Sequence, residues 1–152
     1  MLKYHKMTEE EKYCIARWKY PGEYAIYNSL SYEEQKKRGF GFANPENHLY
    51  SFYDGKELVG FINLNGEAPE VFFGIGANPD CCGKGYGQQM TRMAWEISQT
   101  LFPGKPMYLE VRTWNQRAIR CYEKAGFRIV GEPIQQTTSI GEGAFYHMVR
   151  RG

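Results

Sequence analysis

A chain of 152 residues, 42% hydrophobic and 24% charged, has the length of one domain and enough apolar side chains to bury a core. Its 19 Lys and Arg against 17 Asp and Glu leave a formal charge of +2, with the signs interspersed, which argues against a nucleic-acid stripe or a polybasic membrane anchor. No apolar run reaches the length of a membrane span and the N-terminal MLKYHKMTEEEKYC has no signal-peptide core, so a cytoplasmic, single-domain protein over 1–152 is expected.

Residues Leu2 to Met7 suit a short first strand. Thr8 with Glu11 forms a capping-box pattern that predicts a helix to about Arg17, and Ser31 with Glu34 repeats it before a short helix ending near Gly39. Between them, WKYPGEYAIYNSLSY crowds Trp18, Tyr20, Tyr24, Tyr27 and Tyr32 together, a cluster that serves either core packing or the wall of an acceptor pocket. HLYSFYDGKELVGFINL reads as two strands around an Asp54-Gly55 turn, and EVFFGIGAN as a further strand stopped by Asn78-Pro79. Cys14, Cys81, Cys82 and Cys121 form no CxxC pair and have no histidine at zinc-site spacing, so reduced thiols and no metal are expected.

From about Gln88, Met90, Met93, Ala94, Ile97 and Leu101 recur at helical spacing until Pro103-Gly104. MYLEVR alternates as a strand, with Leu109 and Val111 on one face and Tyr108, Glu110 and Arg112 on the other. Asn115 is placed to cap a helix over 116–125, whose inner face is Ala118, Ile119, Tyr122 and Ala125, with Gly126 as its stop. FRIVGE and AFYHMVR supply two closing strands. The order of strand, two helices, three strands, helix, strand, helix and two strands predicts one mixed α/β sheet.

PDCCGKGYGQQM places Gly83, Gly85 and Gly87 at alternate positions between a strand and a helix. A Walker loop is excluded because Lys84 is followed by Gly85 and Asn78 stands five before Gly83; the dinucleotide fingerprint fails because Gln88 stands where its last glycine belongs. What remains is a glycine loop feeding a helix N-terminus, whose amides suit a pyrophosphate without any specific side chain.

On these residues the chain resembles the GCN5-related N-acetyltransferase superfamily. The family loop reads Gln/Arg-x-x-Gly-x-Gly/Ala, which Cys82-Gly83-Lys84-Gly85-Tyr86-Gly87 matches except at its first position, and NQRAIRCYEKAGF is similar to the second signature. The likeness spans roughly Glu70 to Gly131; the N-terminal third agrees only in the order of elements. It implies an α/β fold of one domain: a mixed, mostly antiparallel sheet flanked by helices, with a splayed parallel strand pair forming a cleft for acetyl-CoA.

In that pattern Ile75, Gly76 and Ala77 hold the pantetheine through their backbone, and the amides of Cys82, Gly83, Lys84, Gly85, Tyr86, Gly87 and Gln88 meet the pyrophosphate. Asn115 contacts the cofactor arm besides capping its helix. Cys82 departs from the family's Gln or Arg; Lys84 is a candidate to compensate. Tyr122 is the implied acid for the departing CoA sulfur, against a plain core tyrosine. Glu110 matches the strand glutamate of the ribosomal-protein alanine acetyltransferase type, with Glu70 or water as competing bases and an Arg112 pair as the structural alternative.

The implied reaction moves acetyl to a primary amine by direct attack through a tetrahedral intermediate stabilised by an amide near Ala77. A peptide amine and a small-molecule amine are both open as acceptors, and a non-catalytic CoA-binding or sensing module is the other reading. A monomer or homodimer without nucleic-acid or membrane partners is expected.

Overall fold

The computed structural model of the chain describes residues 2–81, 83–138 and 141–152. In chain order the elements are β1 (Leu2–Lys6), α1 (Glu9–Ala16), α2 (Tyr32–Arg38), β2 (His48–Asp54), β3 (Glu57–Asn65), β4 (Val71–Ala77), α3 (Tyr86–Leu101), β5 (Met107–Arg112), α4 (Gln116–Lys124), β6 (Arg128–Ile129), β7 (Ile134–Thr138) and β8 (Gly141–Arg150). Short 3-10 turns at Gly22–Tyr27, Gly41–Ala43 and Pro79–Cys81 fill the connections. The strands are mostly antiparallel, with β4 and β5 the parallel pair, and helices flank them. Among the described residues no helix is long and apolar enough to cross a membrane. The chain divides into two compact units: Met1–Asn63 with Ile75–Met90, and Leu64–Gly74 with Thr91–Gly152.

In the first unit, α1 starts where its capping box predicts. Thr8 Oγ1 accepts from the Glu11 amide at 3.2 Å, and Glu11 Oε1 accepts from the Thr8 amide at 2.9 Å. β1 runs antiparallel to β2, setting His5 opposite Ser51 and Lys3 opposite Tyr53. His5, Ser51 and Tyr53 therefore share one face. All three donate to Glu11: His5 Nε2 at 2.9 Å, Ser51 Oγ at 2.8 Å and the Tyr53 hydroxyl. Burial alone would raise the Glu11 pKa, but the bonds from Tyr53, Thr8, Ser51 and His5 together hold it at about 2. Beside this hub Met7, Ile15, Ala16, Tyr32 and Phe42 pack into a core cluster, with Trp18 and Phe61 against it.

α2 ends on Gly39, whose φ of 65° is the left-handed cap that glycine reaches without strain. The β2–β3 turn is Gly55-Lys56 rather than Asp54-Gly55: Asp54 still belongs to the strand, and the positive φ falls on Gly55 at 61°. Asn78 does more than stop β4. Its amide donates to Val59 O at 2.8 Å, its Nδ2 donates to Leu58 O at 2.9 Å, and its Oδ1 accepts from the Asp80 amide.

In the second unit β5 pairs with β8 in antiparallel register from Met107↔Arg150 to Arg112↔Phe145, and β6 and β7 share the other edge of β8. Met107, Leu109 and Val111 are buried as the alternation predicts, while Glu110 is exposed. The parallel ladder of β4 with β5 registers Val71↔Met107 and Phe72↔Tyr108. Phe73 and Phe127, both fully buried, stack at 6.1 Å between centroids. Each such burial contributes roughly 1.5–3 kcal/mol.

The chain's end departs from expectation. FRIVGE yields only the two-residue β6, IQQTT forms the additional strand β7, and β8 begins at Gly141, ahead of AFYHMVR. Gln135, Gln136, Thr137 and Thr138 have no apolar alternation to announce a strand; β7 is an edge held by its ladder to β8.

Candidate active site

In the first unit the structure brings together the end of β4 and the glycine loop. Gly83 and Gly85 have φ of 83° and 82°, a backbone strained for any other residue, and a Cβ built on either meets no atom within 4 Å. The glycines are there for conformation and for open space above the main chain. α3 follows at Tyr86, and the Gln89 amide bonds Gly85 O at 3.4 Å. Glycine-loop amides at a helix N-terminus are, in general, the kind of cradle that favours an anion such as phosphate. The Tyr86 hydroxyl donates to Asp54 Oδ2 at 2.6 Å, pinning the start of α3 to the β2–β3 turn. That bond, then desolvation, pushes the Tyr86 pKa up to about 12. Lys84 is exposed in the loop; Cys82, the departure from the family pattern, lies outside the described residues.

Ile75, Gly76 and Ala77 are half-buried at the end of β4. A Cβ on Gly76 would stand 2.3 Å from the Phe61 ring, so this glycine is also demanded by packing against β3. The Ala77 carbonyl accepts from the Tyr20 hydroxyl at 2.8 Å, while the Tyr20 amide donates to Asn28 Oδ1 at 2.7 Å. The aromatic cluster thus divides its work. Tyr32 is buried in the core and donates to Glu9, Tyr24 and Tyr27 stack on each other, and Tyr20 fixes the last peptide of β4.

The second unit carries the remaining candidates. Asn115 is buried and caps α4, its Oδ1 accepting from the Ala118 amide at 3.3 Å. Tyr122 is half-buried on α4, edge-on to Phe73 at 6.4 Å and to Phe127 at 6.2 Å. Glu110 accepts from Gln136 Nε2 at 2.6 Å, whereas Arg112 lies over the Phe145 ring at 4.8 Å. The sequence alternative of a Glu110–Arg112 pair gives way to these partners from β7 and β8. Glu70, just ahead of β4, approaches His147 Nε2 at 3.4 Å and Arg151 at 3.8 Å.

His147 is the residue that sequence reasoning passed over. In the β5–β8 ladder it stands directly opposite Glu110, and its ring stacks on Tyr108 at 5.1 Å. Burial, then the charges of Glu110 and Glu70, raise the Tyr108 pKa. Both glutamates that competed as bases therefore flank one histidine. A sequence signal existed only in hindsight of register: His147 shares an alternating face with Phe145 and Val149.

Residues 10–127 match the model of the Acetyltransferase (GNAT) family. Over 94 residues the chain is 33% identical to the N-alpha-acetyltransferase RimI of Mycobacterium tuberculosis (strain ATCC 25618 / H37Rv). That match covers 59% of this chain and 57% of the relative, so the chain aligns with little more than half of that protein's length. The fold is similar to that of spermidine N-acetyltransferase from Vibrio cholerae in complex with CoA and spermine, with a TM-score of 0.75 at 20% identity over 97% of this chain and 94% of that one. It is also similar to the ribosomal-protein-S18-alanine N-acetyltransferase of Escherichia coli, with a TM-score of 0.72 at 18% identity over 99% and 93%. With the family's model covering well over half of its residues, the chain belongs to the acetyltransferase (GNAT) family.

Proposed function

We propose that the protein is an acetyl-CoA-dependent N-acetyltransferase, working as one domain over 1–152, whose acceptor is the primary amine of a peptide. The observation that carries the reading is the loop at Gly83 and Gly85, where positive φ, open space and a helix N-terminus coincide. The bound cofactor supplies a thioester carbonyl for amine attack. The amides from Cys82 to Gln88 hold its pyrophosphate, Ile75 to Ala77 its pantetheine, and Asn115 steadies its arm. An amide near Ala77 donates to the developing oxyanion, and the Tyr20 hydroxyl steadies the end of β4 by donating to the Ala77 carbonyl. Tyr122 gives a proton to the departing sulfur, and Glu110, exposed and held by Gln136, activates the amine through a water. The RimI likeness supports a peptide amine over a polyamine, since it rests on sequence and not on fold alone.

Thermal unfolding with added CoA, acetyl-CoA, NAD or ATP tests the cradle: the two CoA species should raise Tm by mass action and the others far less. A screen of peptide N-termini, polyamines and amino acids with thiol release as the readout then tests transfer. Stabilisation by NAD alone overturns the loop assignment. Tight CoA binding without transfer to any amine leaves a sensing module as the function.

A further inference from the structure

Four chemically active side chains converge on the open face of β5 and β8 in the second unit. His147 Nε2 is 3.4 Å from Glu70 Oε1, Glu110 is directly opposite His147 in the ladder, and Tyr108 stacks on the imidazole. The His147 side chain is 25% exposed, so the ring is anchored while one edge reaches solvent. Among the described residues no hydrogen bond is made by its other nitrogen, Nδ1. The neighbouring elements hold the ring, the two glutamates or the His147 backbone. Glu70 comes from the segment before β4 and Tyr108 and Glu110 from β5. Gln136 of β7 reaches Glu110, and Arg151, after β8, reaches Glu70. From the β6 side, the Val130 amide bonds the His147 carbonyl while the Arg128 guanidinium is occupied with the Glu123 and Phe127 carbonyls.

We infer that His147 is the final proton acceptor of the transfer reaction, with Glu70 as the positioning residue that fixes its tautomer. A carboxylate beside Nε2 favours the tautomer with hydrogen on Nε2, which leaves the Nδ1 lone pair free to accept. In the reaction the acceptor nitrogen bonds to the acetyl carbon and the carbon–sulfur bond breaks, the thiolate taking the Tyr122 proton. The proton leaving the nitrogen crosses the water held by Glu110 to His147 Nδ1, giving an imidazolium whose charge Glu70 offsets. One proton then returns through solvent from imidazolium to phenolate, and both groups are reset. Two carboxylates beside one imidazole thus have separate tasks: Glu110 holds the water and Glu70 orients the ring.

The inference rests on the acetyl-transfer reading, and its test separates the two. With an acceptor from the amine screen, His147→Gln should lower kcat/KM by ~10²- to 10⁴-fold while CoA affinity is retained. Its rate–pH profile should lose the acid limb, and imidazole added to His147→Ala should restore part of the rate. A folded, CoA-binding His147→Gln with the wild-type rate and profile overturns the role. Independently of turnover, nitrogen-15 shifts of the imidazole should show the Nε2–H tautomer in the wild type and a mixture in Glu70→Gln. A wild-type ring protonated on Nδ1 overturns the dyad even if acetyl transfer is confirmed; the expected tautomer supports it even if no acceptor is found.

Discussion

Glu11 and Glu110 are both carboxylates on regular elements, and they live in opposite circumstances. Glu11 is buried and takes bonds from Thr8, His5, Ser51 and Tyr53, so its acceptor capacity is largely spent inside the first unit. Glu110 is exposed in the second unit and its described hydrogen bond comes from Gln136. A saturated carboxylate locks elements together and has little capacity left for a substrate; a carboxylate with lone pairs to spare can take up water or an amine. Number of partners, rather than residue type, distinguishes these two carboxylates.

The comparison breaks most sharply at Tyr122. Tyr122→Phe keeps the ring against Phe73 and Phe127 and removes one hydroxyl. The expected result is a ~10²- to 10⁴-fold fall in both kcat and kcat/KM with CoA affinity unchanged, measured by steady-state kinetics and a CoA titration. Wild-type turnover would make Tyr122 a scaffold residue.

Glu11→Gln should do the reverse, damaging stability and sparing CoA binding. Lowering its pKa from 4.5 to about 2 corresponds to about 3 kcal/mol of folding free energy. Because the folded-state value is depressed, that stability is fully present above about pH 5 and drains away as pH falls towards 2. Urea unfolding of wild type and Glu11→Gln between pH 7 and pH 2 should show the wild-type advantage shrinking over that acid range. A constant gap would mean that packing, not ionisation, gives Glu11 its value.

Gly85→Val sharpens the contrast from the main-chain side. A β-branched residue at φ of 82° carries a strain of about 1–2 kcal/mol although its Cβ clashes with nothing. If the cradle relaxes to escape that strain, calorimetry should find CoA weakened roughly 5- to 30-fold or more. Undiminished CoA binding would show that backbone conformation at this glycine does not govern the site. The smallest effect is expected at Tyr20→Phe, which removes the donor to Ala77 O and should cost about 1 kcal/mol in thermal stability, with a modest loss of kcat. No change in either would leave that peptide oriented by the sheet alone.

What could be read in advance follows the range of the interaction. The capping box at Thr8, the side-chain caps at Ser31 and Asn115 and the glycine loop are contacts within a few residues, and all appear where their spacing put them; at Ser31 it is the serine half of the box that forms. β7 was invisible because a polar edge strand carries no hydrophobic period, and its partner determines it. His147 was missed for a related reason. Its neighbours Glu70 and Glu110 lie 77 and 37 positions away, the first joined by a side-chain approach and the second by ladder register. Tyr20 is one aromatic among several in its stretch of sequence, and only the folded chain distinguishes a hydroxyl on Ala77 O from one buried at Glu9.

The phenol–carboxylate pairs have a practical side. Burial and a bond to Glu9 push the Tyr32 pKa to about 12, burial and Glu11 do the same for Tyr53, and Asp54 does so for Tyr86. Iodinating, nitrating and diazonium reagents attack the phenolate, which these three residues scarcely form in mildly alkaline buffer. Of the twelve tyrosines in the chain, those joining α1 to α2, α1 to β2 and the glycine loop to its turn should be passed over by such reagents. Tyrosine labels can therefore be attached without loosening these three contacts.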